Sequence, residues 1–149
     1  MKKFCFIILL FCSQVFASEL PIRPDPVMTP GVIDPKATKE KICTPGYTAT
    51  VRNVPESIKK QVFNQYKIDP KSDKFEIDHL ISLELGGVND IKNLWPQSYT
   101  TLPWNAHKKD VLENKLHKMI CDGSITMQQA QQEISSDWVA AYTKYIGAK

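Results

Sequence analysis

The sequence lacks an apolar run long enough to cross a membrane. Phe4 to Cys12, at its start, falls far short of the roughly 20 residues a spanning helix needs. It also lacks an excess of charge: 19 basic side chains stand against 16 acidic ones, and without residues 1–17 the balance is 17 to 16. Global charge therefore points to no partner. There is no internal repeat and no low-complexity tract beyond one proline-rich segment, which excludes a repeat architecture. No Cys-x-x-Cys is present, and His107 and His117 stand ten apart. That spacing leaves them about 80° out of alignment on a helix, so they do not form the i, i+4 pair of helical zinc sites.

What is present fits one globular domain: 149 residues, 42% hydrophobic and 23% charged. The opening "MKKFCFIILLFCSQVFA" joins Lys2 and Lys3 to an apolar run, with Val15 and Ala17 at the −3 and −1 positions of a cleavage site. It reads as a secretory signal peptide over residues 1–17, and the expected location is periplasmic or secreted, with no stable membrane association after cleavage. A lipoprotein site at Cys12 is disfavoured because Phe11, not a small residue, precedes it. Cleavage removes Cys5 and Cys12 and leaves Cys43 and Cys121. In an oxidising compartment one disulfide is their natural pairing. It would close a loop of about 78 residues, worth roughly 4 kcal/mol in the chain-entropy account.

Residues 18–42 are read as a proline-rich extended segment (Pro21, Pro24, Pro26, Pro30, Pro35) with little core, and residues 43–149 as the folded domain. "YTATVR", Tyr47 to Arg52, has the β-branched and aromatic content of a short strand. Ile58, Val62, Phe63 and Tyr66 mark a helix opened by Pro55. Lys74 to Leu80 alternates as a strand, Gly86-Gly87 turns the chain, and a second short strand is expected near Lys92 to Trp95. After Pro103, Leu112, Leu116, Met119 and Ile120 share a helical face that Gly123 ends. The tail carries a capping box, Thr126 with Gln129, before a short helix, and a last helix runs through Trp138, Ala141, Tyr142 and Tyr145. These elements predict an α+β domain.

The chemistry-bearing stretch is "FEIDHLISLELGGVNDIKNLW", Phe75 to Trp95, followed by a helix beginning at "NAHKK". An Asp-His pair alone is a weak signal. Asp-His, then Leu-Gly-Gly, then "NDIKNLW", then that helix together resemble the HNH nucleases of the ββα-metal (His-Me finger) group. "EIDHLISLELGGVNDIKNLWPQ" with "NAHKKDVLENKLHKMICDGSITMQQAQQEISSDW" is similar to small bacterial, often secreted, HNH-type proteins. The similarity covers most of residues 43 to 145.

The resemblance implies a ββα-metal core with additional packing helices and a metal-dependent endonuclease. Its substrate would be DNA, with RNA left open, cut with little sequence preference. His79 would be the general base, Asp78 a metal-binding acid, and Asn93 a structural amide bridging backbone groups across the loop. Asn105 is the expected second ligand for Mg²⁺ or Mn²⁺. His107 is its competitor, and ligation there would favour Zn²⁺, Ni²⁺ or Co²⁺. Lys108 and Lys109 suit phosphate binding by charge or a solvated helix face. Lys109 with Glu113 has i, i+4 pairing geometry. The alternatives are a non-catalytic nucleic-acid- or protein-binding module on the same scaffold, and a nuclease toxin acting on another cell.

Overall fold

A computed structural model describes residues 21–71 and 74–147 of the chain; the leader expected over 1–17 lies outside them. In chain order come α1 (Lys39–Ile42), α2 (Tyr47–Val51), α3 (Glu56–Tyr66), β1 (Phe75–His79), β2 (Leu94–Ser98), α4 (Ala106–Cys121) and α5 (Met127–Tyr145). Short 3₁₀ turns at Leu83–Leu85 and Ile91–Asn93 join the strands. The class is α+β, as the sequence pattern predicts. Among the described residues no helix is long and apolar enough to cross a membrane.

The core lies between α4 and α5. Leu112, Leu116 and Ile120 recur at helical spacing on α4 and meet Ala130, Ile134, Trp138, Ala141 and Tyr142 of α5. Asn105 caps α4, its side chain accepting from Lys108 N, and Thr126 with Gln129 forms the expected capping box on α5. The two tail helices expected from sequence are one element broken at Asp137 (φ −162°, ψ 95°). The Asp137 carboxylate accepts from Val139 N and Ala140 N and so caps the second half.

β1 and β2 pair antiparallel, with Asp78 opposite Trp95 and His79 opposite Leu94. β2 begins two residues later than expected and passes through Pro96. A proline is tolerated there because each strand of a two-stranded sheet has a free edge. Phe63 of α3 packs edge-on against Phe75, their centroids 5.8 Å apart.

Two expectations need correction. Tyr47–Val51 is a short helix after Gly46, which sits at φ 82°; β-branched content did not decide the backbone there. The proline-rich segment, expected to carry little core, is extended but docked. Ala37 joins the core cluster, Thr29 is buried, and Trp138 donates through its indole N–H to Ile22 O. The Cys43–Cys121 disulfide is formed, joining the C-cap of α1 to the last residue of α4 with Cα atoms 5.7 Å apart.

Candidate functional site

His79 ends β1 and is 5% exposed. Its Nε2 lies 2.9 Å from Asn89 Oδ1, and Asn89 Nδ2 donates to Val51 O at 2.7 Å. That pair of contacts fixes the ring's proton. A carbonyl can only accept, so the amide nitrogen of Asn89 must face Val51, which turns its oxygen to the imidazole. Nε2 therefore carries hydrogen in the neutral ring and Nδ1 keeps the lone pair. Burial holds the His79 pKa below the ordinary histidine value, and the Asn89 hydrogen bond offsets only part of that shift.

The turn after His79 is held by Asn93, which is fully buried. Asn93 Nδ2 donates to Ile81 O (3.0 Å) and Val88 O (2.9 Å), while Oδ1 accepts from Ile81 N (3.0 Å) and Val32 N (3.3 Å). Its backbone carbonyl accepts from Leu80 N at 2.8 Å. Gly87 makes the closure possible: a Cβ there would lie 1.8 Å from Ile81 O. Gly86 ends the 3₁₀ turn at φ 84°, a region open to glycine.

On the other side of His79, Asp78 meets α4. Lys109 is fully buried, and its ammonium lies 2.7 Å from Asp78 Oδ2, donates to His79 O at 2.7 Å and pairs with Glu113. Burial would by itself lower the Lys109 pKa; the charges of Asp78 and Glu113 outweigh it and hold the amine well above its ordinary value. Glu113 is pushed up by burial, with repulsion from Asp78 adding to the shift and Lys109 opposing it. One ammonium thus serves two carboxylates. Glu76 and Asp110 are also raised, by burial first and by the charge of Asp78 second.

The remaining expected residues are dispersed along the start of α4. Asn105 uses its side-chain oxygen as the helix cap. His107 is exposed and stacks on Tyr99 at 5.5 Å between centroids. Lys108 reaches α5, donating to Tyr142 Oη at 3.3 Å and lying over its ring. Lys109, expected at phosphate, has no exposed surface to offer it.

Two side chains went unread in the sequence. Asn89 sets the tautomer of His79, yet an asparagine in "GGVND" reads simply as a turn residue. Arg52 lines a cleft of about 280 Å³ with Thr48, Ser82, Glu84, Asp110, Glu113 and Asn114. It is an exposed cation whose charge acts on His79 and Asp110. Only α2 being a helix, ending beside Asn89, brings it there. A second cleft, of about 310 Å³, lies between the proline-rich segment and α5 and contains none of the expected site residues.

Away from the hairpin, Cys43, His117 and Cys121 each offer a ligand atom within 4.8 Å of the others. Such a trio could hold a metal ion, though here the two sulfurs are bonded to one another. No protein-family model, no curated protein and no solved structure matches the chain.

Proposed function

We propose that the protein is an exported, metal-dependent endonuclease of HNH type that hydrolyses phosphodiester bonds of DNA, with RNA as a second candidate substrate. The observation that carries this reading is the setting of His79: Asn89 accepts from Nε2 and so leaves the Nδ1 lone pair to accept a proton, while burial holds the imidazole pKa below the ordinary histidine value. A general base needs that free lone pair and a fixed ring. Asn93 and Lys109 supply the rigidity by holding the backbone on either side of the imidazole. His79 Nδ1 takes a proton from water as the water attacks phosphorus in line with the departing 3′ oxygen, leaving a 5′ phosphate. Arg52, in the adjoining cleft, contacts a phosphate oxygen.

The donors on hand suit a weakly held hard cation. Lys109 takes Oδ2 of Asp78 and leaves the other carboxylate oxygen. The Asn105 oxygen keeps one lone pair beside the one used by Lys108 N–H. Mg²⁺ or Mn²⁺ commonly binds through one or two such oxygens together with water and substrate phosphate. When bound, the cation supplies charge stabilisation at the phosphate and the leaving oxygen.

A plasmid-nicking assay with and without EDTA tests the reading. His79→Ala should lower the rate at least about 100-fold with its circular dichroism unchanged; full activity in that variant overturns the mechanism. Because burial depresses the pKa of His79, the acidic limb of the rate profile should lie below about pH 6.5, the ordinary histidine value. Asn105→Asp should keep part of the activity that Asn105→Ala loses, with His107→Ala close to neutral. A severe His107→Ala beside an active Asn105→Ala would move the ligand to His107 and favour Zn²⁺, Ni²⁺ or Co²⁺.

One observation favours the non-catalytic module instead: Asp78 is already paired with an internal cation. Absence of nicking with all five metals selects that reading. A toxin delivered to another cell would use the same chemistry.

A further inference from the structure

We propose that the Cys43–Cys121 bridge doubles as a redox-gated metal site, in which the reduced cysteines and His117 take up one Zn²⁺. This inference does not rest on the nuclease reading. His117 and Cys121 are i, i+4 on α4, a histidine-cysteine spacing that suits structural zinc sites. His117 Nε2 stands 3.5 Å from Cys121 Sγ. Zinc bonds of about 2.3 Å to sulfur and about 2.0 Å to nitrogen, at tetrahedral angles, place those two ligands about 3.5 Å apart. All three residues are partly exposed, so a cation can reach them.

The ligand positions do not depend on the bridge. Ile42, next to Cys43, is 2% exposed in the core cluster that also contains Leu116 and Ile120 of α4. His117 Nε2 also donates to Ile42 O at 2.9 Å. Apolar packing keeps the end of α1 against α4 once the sulfurs part, and the hydrogen bond to Ile42 O adds to it until metal binds. With Cα atoms 5.7 Å apart, side-chain rotation suffices to open them to the roughly 3.8 Å that two thiolates keep around tetrahedral zinc.

The chemistry balances with a dithiol as reductant. Its thiolate attacks one sulfur of the bridge, giving a mixed disulfide. Its second thiolate resolves that intermediate, so the reductant leaves as a disulfide and Cys43 and Cys121 become thiols. Zn²⁺ keeps its oxidation state and displaces one proton from each thiol to solvent. For Nε2 to ligate, its hydrogen moves to Nδ1 through solvent, the ring turns away from Ile42 O with loss of that hydrogen bond, and water fills the fourth position.

The test uses the full chain, reduced with a dithiol, freed of it by anaerobic desalting, and titrated with Co²⁺ and then Zn²⁺. One thiolate-to-cobalt charge-transfer band saturating at one metal per chain is expected, and oxidised protein should show none. His117→Ala should weaken binding about tenfold or more, in line with the sensitivity of metal affinity to its immediate surroundings. Because metal binding contributes folding free energy, Zn²⁺ should raise the thermal midpoint of the reduced wild type, but not of Cys43→Ser/Cys121→Ser. Absence of the band, equal binding by His117→Ala, or a reduced chain that unfolds and stays unfolded in Zn²⁺ each overturns the proposal.

Discussion

The end of β1 is held from two sides by two buried polar residues of different kinds. Asn93 is neutral, and its donors and acceptors match the backbone groups it meets: Ile81 N and O, Val88 O and Val32 N. Lys109 is charged, donates to His79 O and faces two carboxylates with a single positive charge. The first arrangement is complete at any pH. The second is short by one charge, so its strength follows the protonation of Glu113. A fixed backbone turn can thus be secured by geometry or by charge, and only the second way makes it sensitive to conditions.

The largest expected effect comes from removing the cation. Lys109→Met leaves Asp78 and Glu113 buried without a counter-charge and should cost about 3–5 kcal/mol, the range for breaking a buried pair by one partner. Urea denaturation measures it, and a loss under 1 kcal/mol would show that Asp78 and Glu113 find other partners. Asn93→Ala comes next. It strands Ile81 and Val88 carbonyls and the Ile81 N–H, for about 2–3 kcal/mol, with no change in the pH dependence of stability.

Glu113→Gln should be the mildest change near neutral pH, within about 1 kcal/mol, because Asp78 then has the ammonium to itself. Its signature is in the pH profile. Glu113 has a folded pKa raised from 4.5 to about 8, so the folded state binds more protons across that interval. The stabilisation is complete below the unfolded value of about 4.5 and is lost as pH rises through the folded one. His79, shifted down, acts with the opposite sign: its contribution is present above about pH 6.5 and fades in more acidic solution. The wild-type profile minus that of Glu113→Gln therefore isolates the glutamate. A flat difference between pH 5 and 8 would mean that Lys109 neutralises both acids.

The elements legible in sequence were those with strong local signals. Alternation marked β1, the apolar spacing of Leu112 and Leu116 marked α4, and the Thr126–Gln129 box marked the start of α5. Cysteine arithmetic found the disulfide. The β-branched residues of Tyr47–Val51 favour a strand intrinsically, yet the segment is a five-residue helix whose last carbonyl is taken by Asn89 Nδ2, a partner 38 residues on that local sequence does not reveal. Lys109 was legible as a partner of Glu113 but not as a buried group, since a charge on a helix reads by default as a solvated face. The His117–Cys121 spacing is equally visible in the sequence, but a histidine four residues before a cysteine carries no metal signal until the fold brings Cys43 beside them.

The docked proline-rich segment has a consequence for the order in which the molecule can be completed. Arg23 forms a two-pronged ion pair with Asp137, 114 residues on, and Ile22 O waits for the indole of Trp138, 116 residues on. Between these anchors and α1, Gly31 N and Val32 N bond to Lys92 O and to the Asn93 side chain. A ribosome makes this strap before any of these docking partners. The strap's contacts with the loop after His79 can form once Asn93 is made, but its outer anchors wait for Asp137 and Trp138, so a nascent chain that stops short of them carries the strap only partly tied down.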